Sequence, residues 1–315
     1  MEKIISFVVV VLNSEKSILN CLNAILEQGV DLKDLEVIIV DGNSKDNTVA
    51  VCNEFFSKNK MDSIIINNPK KTLSTGWNLA IKQAKGKYIV RPDAHAILNK
   101  NYIANGIKKL EKNKEFSAVG GVLETKSVNF LGEIIATVLS NPIGVGPSLF
   151  RIGLAKDVES DTVVYGVYRK TVFDKVGLFN ENLGRNQDIE FHKRVKSKQL
   201  KMLTSPDLKA DYYSRSDLKS FVKQAYHNGL WVGKGYGHFR HFIPLFFLLT
   251  LITSFIINLK IGFLFIGFYV FAVLLSYLYF SKLWHPIKLI ISIILTFLLH
   301  ISYGFGTLIG KLKLK

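Results

Sequence analysis

The fold is decided by one stretch, Lys87-Tyr88-Ile89-Val90-Arg91-Pro92-Asp93-Ala94-His95-Ala96. Its apolar, β-rich run at 88–90 predicts a short buried strand, and Pro92 ends regular hydrogen bonding just before two candidate metal ligands, Asp93 and His95. In an open α/β sheet, ligands bind beyond the carboxyl ends of the strands, where a carboxylate suits a Mg²⁺ or Mn²⁺ ion held against a diphosphate. The alternative is a turn aspartate that caps the next segment beside a surface histidine.

Apolar runs alternate with helical patterns before this stretch. The run from Ile4 to Leu12 is almost continuously apolar and β-branched, as in a strand covered on both faces. Further strands are predicted at 37–40 and 63–67, with helices between them. The repeated strand-helix order predicts an α/β fold with a doubly wound, mostly parallel sheet and right-handed crossovers.

Nearly all the long apolar runs fall after Arg240, at approximately 242–257, 261–280 and 287–309. The second and third reach the roughly 20 residues that a spanning helix needs. We therefore predict a catalytic domain at 1–238 and a membrane domain at 239–315 with two to three transmembrane or interfacial helices. Basic residues before the first run place the catalytic domain in the cytoplasm, whereas three spans would put the C-terminal lysines outside. The alternatives are a re-entrant first run or a last run that bends at Gly304, Gly306 and Gly310.

Charge and cysteine content narrow the possible partners. Forty-one Lys and Arg against 25 Asp and Glu give a net charge of +16. No basic-aromatic module or zinc spacing accompanies this charge, so nucleic acid is not predicted as a partner. Attraction to anionic lipids and phosphate-bearing substrates explains it more simply. Cys21 and Cys52 are the only cysteines, and they indicate neither a disulfide framework nor a zinc site.

Four motifs in a fixed order carry a family resemblance. They are Asn13-Ser14-Glu15, Val40-Asp41-Gly42-Asn43-Ser44-Lys45-Asp46-Asn47-Thr48, Gly76-Trp77-Asn78-Leu79-Ala80 and Asp93-Ala94-His95. Over roughly residues 4 to 235 the chain resembles the family 2 glycosyltransferases of GT-A fold. With Asn186-Gln187-Asp188-Ile189-Glu190 downstream, it is most similar to the succinoglycan-type exopolysaccharide glucosyltransferases that carry C-terminal membrane helices. A Rossmann oxidoreductase is disfavoured, since no G-x-G-x-x-G follows the first strand.

The resemblance implies a nucleotide-sugar site formed by Asn13, Glu15, Asp41, Asn78 and Asp93. Asp41 can accept a nucleobase imide N–H, and the glycine after it lets the backbone approach the ring; a plain Asp-Gly turn is the alternative. Glu15 lies in the first turn of a helix, where the macrodipole alone favours a carboxylate. Asn78 is expected to brace the nucleotide or Asp93, or else to serve the core or a cap.

His95 stands where the family more often has a second carboxylate. Imidazole is a softer ligand than carboxylate, which shifts the expectation modestly towards Mn²⁺ and still allows Mg²⁺. The predicted cofactor is therefore a divalent metal held by Asp93 and His95. It would bridge the two phosphates and neutralise the departing nucleoside diphosphate.

Residues 120–151 are rich in glycine and proline, which predicts short regular elements and loops of the kind that form acceptor walls. The following stretch Asp161–Arg169 is predicted to be a strand, with Gly166 allowing close approach of a sugar. A plain edge strand is the alternative. The aromatic and basic segment 209–234 is expected to close over the diphosphate and rest on the membrane, or to be an amphipathic linker helix.

The second catalytic stretch is centred on Asp188. Asn186 is predicted to cap a helix whose first turn contains Asp188 and Glu190. A carboxylate at a helix N-terminus stays ionised near neutral pH, as a general base for an acceptor hydroxyl must be. Gln187 replaces the glutamate that the family usually shows, so a supporting carboxylate is either missing or supplied by Glu190. The alternative is that both acids only stabilise the helix dipole.

These features predict a metal-dependent, inverting hexosyltransferase at the cell membrane. We expect it to move a sugar from a nucleotide-diphosphate sugar, most simply a UDP-sugar, to a lipid-linked saccharide acceptor in polysaccharide biosynthesis. Its expected partners are the donor, the lipid-linked acceptor and membrane lipids. The alternatives are a polyprenyl-phosphate sugar synthase and a non-catalytic, membrane-anchored nucleotide-binding protein.

Overall fold

Residues 4–313 are described by the structure, which is a computed structural model. The chain forms two compact units, each assembled from two separate segments. The first unit contains the residues up to Glu124 and Gly153–Tyr212, and the second contains Thr125–Ile152 and the residues from Tyr213 onward. Residues 125–152 and 213–238 are grouped with the apolar helices in the second unit. The domain boundary after residue 238 stays a prediction.

Strands and helices follow one another in an α/β order in the first unit, whereas the second is largely helical. The strands are β1 (Ile5–Val11), β2 (Leu35–Asp41), β3 (Ser63–Asn67), β4 (Tyr88–Val90), β5 (Ile97–Leu98), β6 (Phe116–Lys126), β7 (Val158–Glu159), β8 (Val167–Arg169) and β9 (Lys201–Tyr213). The α-helices are α1 (Glu15–Ile25), α2 (Thr48–Asn59), α3 (Leu73–Gln83), α4 (Tyr102–Lys112), α5 (Phe130–Ser140), α6 (Pro142–Val145), α7 (Leu149–Ile152), α8 (Thr171–Val176), α9 (Gln187–Ser197), α10 (Leu218–Gly233), α11 (Ile243–Ile257), α12 (Leu259–Phe280) and α13 (Pro286–Leu312). Turns of 3₁₀-helix occupy Leu32–Asp34 and Phe239–Phe242.

One mixed sheet organises the first unit. Over the described residues its strand order is β3-β2-β1-β4-β8-β6-β9-β5, with β7 paired to β9. The pairs β1–β2, β1–β4 and β2–β3 are parallel, whereas β8 runs antiparallel to β4. The parallel register sets Val11 opposite Asp41 and Asp41 opposite Asn67, so these chain segments leave the sheet at the same edge. The predicted α/β class with a doubly wound sheet is confirmed, with an antiparallel part beyond β4.

The apolar runs form strands because helices cover both faces of the sheet. Val8, Ile38 and Ile89 are fully buried and belong to one cluster with Trp77 of α3 and Phe191 of α9. Fully burying such a side chain contributes roughly 1.5–3 kcal/mol. Phe191 therefore anchors the first turn of α9 to the core, next to the position of Asp188.

Two predictions about the middle of the chain are wrong. The region from 120 to 151 includes the second part of the 11-residue strand β6 and all of the 11-residue helix α5, instead of only short elements. Gly120 and Gly121 lie inside β6, where neighbouring backbone approaches so closely that a Cβ would collide with it. The predicted strand over 161–169 is limited to β8, because Tyr165 adopts left-handed backbone with φ of 46° and breaks the extended run.

The second unit consists mainly of apolar helices. Among the described residues, three helices are long and apolar enough to cross a membrane, at Phe239–Ile257, Leu259–Phe280 and Pro286–Leu312. The predicted apolar runs are thus confirmed as helices. The last of them continues through its glycines without a break.

Those glycines serve helix packing. A Cβ at Gly306 would collide with the backbone of Tyr226 in α10, and one at Gly310 would collide with Leu230. Gly229 and Gly233 of α10 face α13 with the same lack of space. Small residues four apart on both helices let the backbones approach closely, a packing mode typical of membrane helices. The segment predicted as an interfacial or linker helix is therefore packed along α13.

Candidate active site

The acidic edge of the sheet begins at Asp41, the last residue of β2. Its carboxylate is largely buried, and the Ser44 N–H donates to both carboxylate oxygens at 3.2 and 3.1 Å. The Gly42 N–H donates to the Val11 carbonyl at 2.9 Å, which draws the loop against the end of β1. The Asn68 N–H, just after β3, donates to the Asp41 carbonyl at 2.7 Å. Asp41 is thus held in one orientation at the carboxyl end of the parallel strands.

Asn13 and Glu15 hold the loop that follows Asp41. The Lys45 N–H donates to Asn13 Oδ1 at 2.8 Å. Glu15 accepts from the Asn47 N–H at 3.2 Å and from the Asn47 side chain at 3.0 Å. Both predicted site residues therefore lie beside Asp41. Their hydrogen bonds here shape the loop, and contact with a nucleotide stays a prediction.

Asp93 and His95 follow β4 as predicted. Asp93 is half-buried and His95 is exposed. The Ala96 N–H donates to the Asp93 carbonyl at 2.9 Å, so the chain turns sharply between the two side chains. The His95 ring lies 6.3 Å from the Tyr212 ring, centroid to centroid. Within residues 4–313, no group of three or more His, Cys, Asp or Glu side chains is arranged to hold a metal ion.

Asp188 lies in the first turn of α9. It is half-buried, and its Oδ1 accepts the Ile189 N–H at 2.9 Å. Asn186 does not cap this helix with its side chain, contrary to the prediction; it adopts left-handed backbone with φ of 60° and turns the chain into the helix. Gln187 is buried and its side chain donates to the Leu183 carbonyl at 3.0 Å, which braces the turn before the helix.

Glu190, one of the two predicted alternatives for support of Asp188, is engaged by Arg194 in this structure. Arg194 binds both of its carboxylate oxygens, at 2.7 Å from Nε and 3.0 Å from Nη2. The same guanidinium donates to the Val176 and Leu178 carbonyls at 2.7 Å each. Because its carboxylate is committed to this ion pair, Glu190 fastens α9 to the end of α8.

Asn78 contacts the segment leading to Asp188. Its side chain donates to the Phe179 carbonyl at 2.8 Å and to Glu181 Oε1 at 3.0 Å, and its Oδ1 accepts the Phe179 N–H at 2.9 Å. These bonds agree with the alternative in which Asn78 serves the core or a cap. Glu181 was not singled out from the sequence. Hydrogen bonds from Asn78, then Lys70, then Thr75 lower the pKa of Glu181 from its ordinary 4.5 to about 2.

Arg91 is a buried cation that the sequence did not reveal as a site residue. It is 5% exposed, and its guanidinium carbon lies 3.7 Å from the Trp77 ring centroid and 5.2 Å from that of Phe179. Its Nε is buried and makes no hydrogen bond among the described residues. Aromatic faces stabilise a desolvated guanidinium by roughly 2 kcal/mol, which offsets part of the cost of burial.

Tyr168 connects Arg91 with Asp188. Burial is the largest influence on the Tyr168 pKa and raises it; the charge and hydrogen bond of Arg91 lower this pKa, and the charge of Asp188 raises it. Gly166 is buried, and a Cβ there would lie 2.5 Å from the Tyr168 ring, so this glycine is required for packing against Tyr168. Sugar approach at Gly166 remains a prediction.

Acidic side chains thus lie at the end of β2, after β4 and in the first turn of α9, in a chain that continues into apolar helices. The family model for glycosyl transferase family 2 matches residues 6–175, more than half of the chain. The chain belongs to glycosyl transferase family 2, which confirms the resemblance predicted from its motifs.

Individual relatives agree with this assignment. The Methanococcus voltae dolichyl N-acetyl-alpha-D-glucosaminyl phosphate 3-beta-D-2,3-diacetamido-2,3-dideoxy-beta-D-glucuronosyltransferase is 32% identical over 96% of this chain and 95% of its own. The poly(ribitol-phosphate) beta-glucosyltransferase of Bacillus spizizenii is 35% identical, but over only 29% of this chain and 14% of its own.

Solved structures show the same fold. The mannosyltransferase of Pyrobaculum calidifontis in complex with GDP-Man and Mn²⁺ has a TM-score of 0.55 at 18% identity, over 72% of this chain and 62% of its own. Residues 1–349 of TarS from S. aureus in complex with UDP-GlcNAc have a TM-score of 0.53 at 19% identity, over 71% of this chain and 64% of that one. Less than two thirds of each of these chains is spanned, and at these identities the likeness establishes the fold alone.

Proposed function

We propose that this glycosyltransferase transfers a sugar, with inversion, from a nucleotide-diphosphate sugar to a lipid-linked saccharide acceptor in polysaccharide biosynthesis. A UDP-sugar is the first donor to test. The Methanococcus voltae relative supports the acceptor class, because its name specifies a dolichyl phosphate-linked sugar and the two chains align over nearly their whole lengths.

One observation carries the catalytic part of the proposal. The half-buried carboxylate Asp188 lies in the first turn of α9, and α9 contacts β8 where His192 Nε2 lies 2.8 Å from the Tyr168 hydroxyl oxygen. Strand β8 pairs with β4, which ends just before Asp93. A base and a diphosphate-binding carboxylate are thus supplied from adjoining elements. We assign Asp188 the role of general base, which accepts the proton of the acceptor hydroxyl as its oxygen forms the new bond to the anomeric carbon. The bond from that carbon to the diphosphate breaks through an oxocarbenium-like transition state.

Asp41 is assigned to the nucleobase. Its carboxylate lies at the carboxyl end of β2, where ligands of open α/β sheets bind, and an imide N–H can donate to it beside the Ser44 N–H. Asn13 and Glu15 keep the loop after Asp41 in place through the hydrogen bonds described above. Gly42 leaves the ring room to approach the backbone.

Asp93 and His95 are assigned to a divalent metal. Two protein ligands on one turn fit an ion whose remaining positions are filled by diphosphate oxygens and water, which is how Mg²⁺ is usually bound beside phosphates. One carboxylate and one imidazole also suit Mn²⁺. When bound, the ion supplies Lewis-acid stabilisation of the negative charge on the leaving diphosphate.

The helices at 239–312 are assigned to the membrane, with the first unit on the cytoplasmic side. Lys234 precedes the first of these helices and Arg240 lies at its start, and basic residues there favour a cytoplasmic position. This location gives the catalytic unit access to nucleotide sugars and to an acceptor whose lipid lies in the bilayer.

The test is a donor screen on the purified full chain in detergent, with release of nucleoside diphosphate as the readout. Transfer to a lipid-linked saccharide by wild type, and loss of transfer in Asp188→Asn, is the expected outcome. Transfer only to a polyprenyl phosphate would favour a polyprenyl-phosphate sugar synthase. Nucleotide binding without turnover of any donor–acceptor pair would favour a non-catalytic binding protein.

A further inference from the structure

His192 of α9 is a polar side chain that lies inside an aromatic cluster. His192 follows Asp188 by four residues, so the two side chains project from the same side of the helix. His192 and Tyr168 are both fully buried. The Tyr168 hydroxyl oxygen lies 2.8 Å from His192 Nε2, and Thr162 Oγ1 lies 2.8 Å from His192 Nδ1. Apolar side chains of similar volume could fill this part of the core without desolvating polar atoms. We therefore look for a functional role of the Tyr168–His192 pair.

Both ring nitrogens of His192 have a hydroxyl partner. Each hydroxyl can donate to an unprotonated ring nitrogen or accept from a protonated one, so the Tyr168 and Thr162 hydroxyls suit either neutral tautomer of the imidazole. The two contacts together fix the orientation of the ring.

The hydrogen bond between Tyr168 and His192 joins the two halves of the candidate active site. Tyr168 lies opposite Ile89 in the antiparallel pair of β8 and β4, and β4 leads directly to Asp93. The Arg91 N–H extends this pairing by donating to the Gly166 carbonyl at 3.3 Å. His192 lies one helical turn after Asp188. The phenol–imidazole contact is therefore a polar link, beside the apolar packing of Phe191, between the strands that precede the proposed metal ligand and the helix of the proposed base.

We propose that Tyr168 and His192 are positioning residues that set the orientation of Asp188 relative to the donor strand. This inference rests on the proposed function, since it presumes that Asp188 is the base. Neither side chain touches substrate in this role; each acts by holding the first turn of α9 against β8. A displacement of about 1 Å between reacting groups can cost on the order of 100-fold in rate, so one lost hydrogen bond is expected to appear in turnover.

The experiment uses the full chain in detergent and the variants Tyr168→Phe, His192→Leu and His192→Gln. Single-turnover rate, donor Kd and Tm are measured for each. Tyr168→Phe and His192→Leu are expected to lower the rate by roughly 10- to 100-fold, with donor Kd changed by less than about twofold. His192→Gln should recover most of the rate, because its side-chain oxygen can accept from the Tyr168 hydroxyl.

Tyr277→Phe is the matched control. Tyr277 is also fully buried, and its hydroxyl lies 2.6 Å from Thr296 Oγ1, so its loss costs a similar buried hydrogen bond elsewhere. This variant should lower Tm about as much as Tyr168→Phe and leave the single-turnover rate unchanged.

Three results would overturn the positioning role: a Tyr168→Phe rate equal to that of Tyr277→Phe, a donor Kd that weakens in step with the rate, or no advantage of His192→Gln over His192→Leu. If Asp188→Asn abolishes transfer while Tyr168→Phe does not, the positioning role fails and the proposed function stands. If the wild type turns over no nucleotide sugar, both fail.

Discussion

The substitution Asp188→Asn separates the possible roles of this carboxylate most sharply. Asparagine keeps the shape of the side chain, and its oxygen can still accept the Ile189 N–H that Asp188 accepts at 2.9 Å. What it loses is the ability to take a proton. General base catalysis contributes roughly 10²- to 10⁴-fold, or about 3–5 kcal/mol of transition-state stabilisation, so kcat should fall by that factor. Donor Kd should hardly change, because the base contacts the acceptor hydroxyl.

The stability cost of the same change is small. Removing a charge that favours a helix N-terminus costs about 0.3–1 kcal/mol at an exposed or half-buried position. For a domain of this size that corresponds to a Tm decrease of roughly 1–4 °C. A rapid-quench measurement of single turnover, together with donor Kd by calorimetry and Tm by circular dichroism, distinguishes loss of chemistry from loss of structure.

Asp174→Asn is the control for this substitution. Asp174 is exposed and lies in the first turn of α8, so its loss tests the helix-terminal charge without touching the candidate site. Its turnover should equal that of wild type. A single-turnover rate for Asp188→Asn within about twofold of wild type would refute the assignment of Asp188 as base, and weaker donor binding with kcat retained would assign it to the donor.

Three further predictions concern the metal, the hydrogen-bonded carboxylate of Glu181 and the glycine contacts. Excess chelator should abolish transfer, and Mn²⁺ or Mg²⁺ should restore it. Asp93→Ala should lose donor binding and turnover together, whereas His95→Asp should retain part of both. Full activity in excess chelator would contradict a role for the metal. Because the pKa of Glu181 is lowered from 4.5 to about 2, the stability it contributes is present above pH 4.5 and is lost as pH falls towards 2; Tm measured across that window should drop less steeply in Glu181→Gln than in wild type. Gly306→Leu should lower Tm strongly, since the leucine side chain would collide with the α10 backbone. Gly267→Leu should leave Tm nearly unchanged, because a Cβ at Gly267 meets nothing within 4 Å. Equal Tm values for the two variants would contradict the close packing of α10 and α13.

Much of the first unit was predictable because its signals are local. Continuous apolar runs gave the parallel strands, and carboxylates immediately after two of them gave Asp41 and Asp93. The same reasoning failed at 161–166, where a β-rich composition predicts a strand but the left-handed backbone of Tyr165 ends it. Composition does not report the φ angle of a single residue.

Long-range partnerships were beyond the sequence. The contact between Asn78 and Glu181 joins positions more than 100 residues apart, and neither side chain shows a spacing that identifies the other. Arg194 follows Glu190 by four residues, which is a common spacing for helical ion pairs. It binds the carboxylate that the sequence alone leaves available to Asp188. The apolar character of α5 was masked by the glycines and prolines around it.

The second unit is assembled from two segments that are far apart in the chain, which affects its folding during synthesis. Helix α5 leaves the ribosome long before α13, yet its Ile135 and Val138 share an apolar cluster with Leu295 and Leu299. Until the last helix emerges, α5 lacks these α13 partners, and nascent chains with exposed apolar surface are prone to aggregate or to engage chaperones. A C-terminal deletion that removes α13 would leave α5 permanently without its Leu295 and Leu299 contacts.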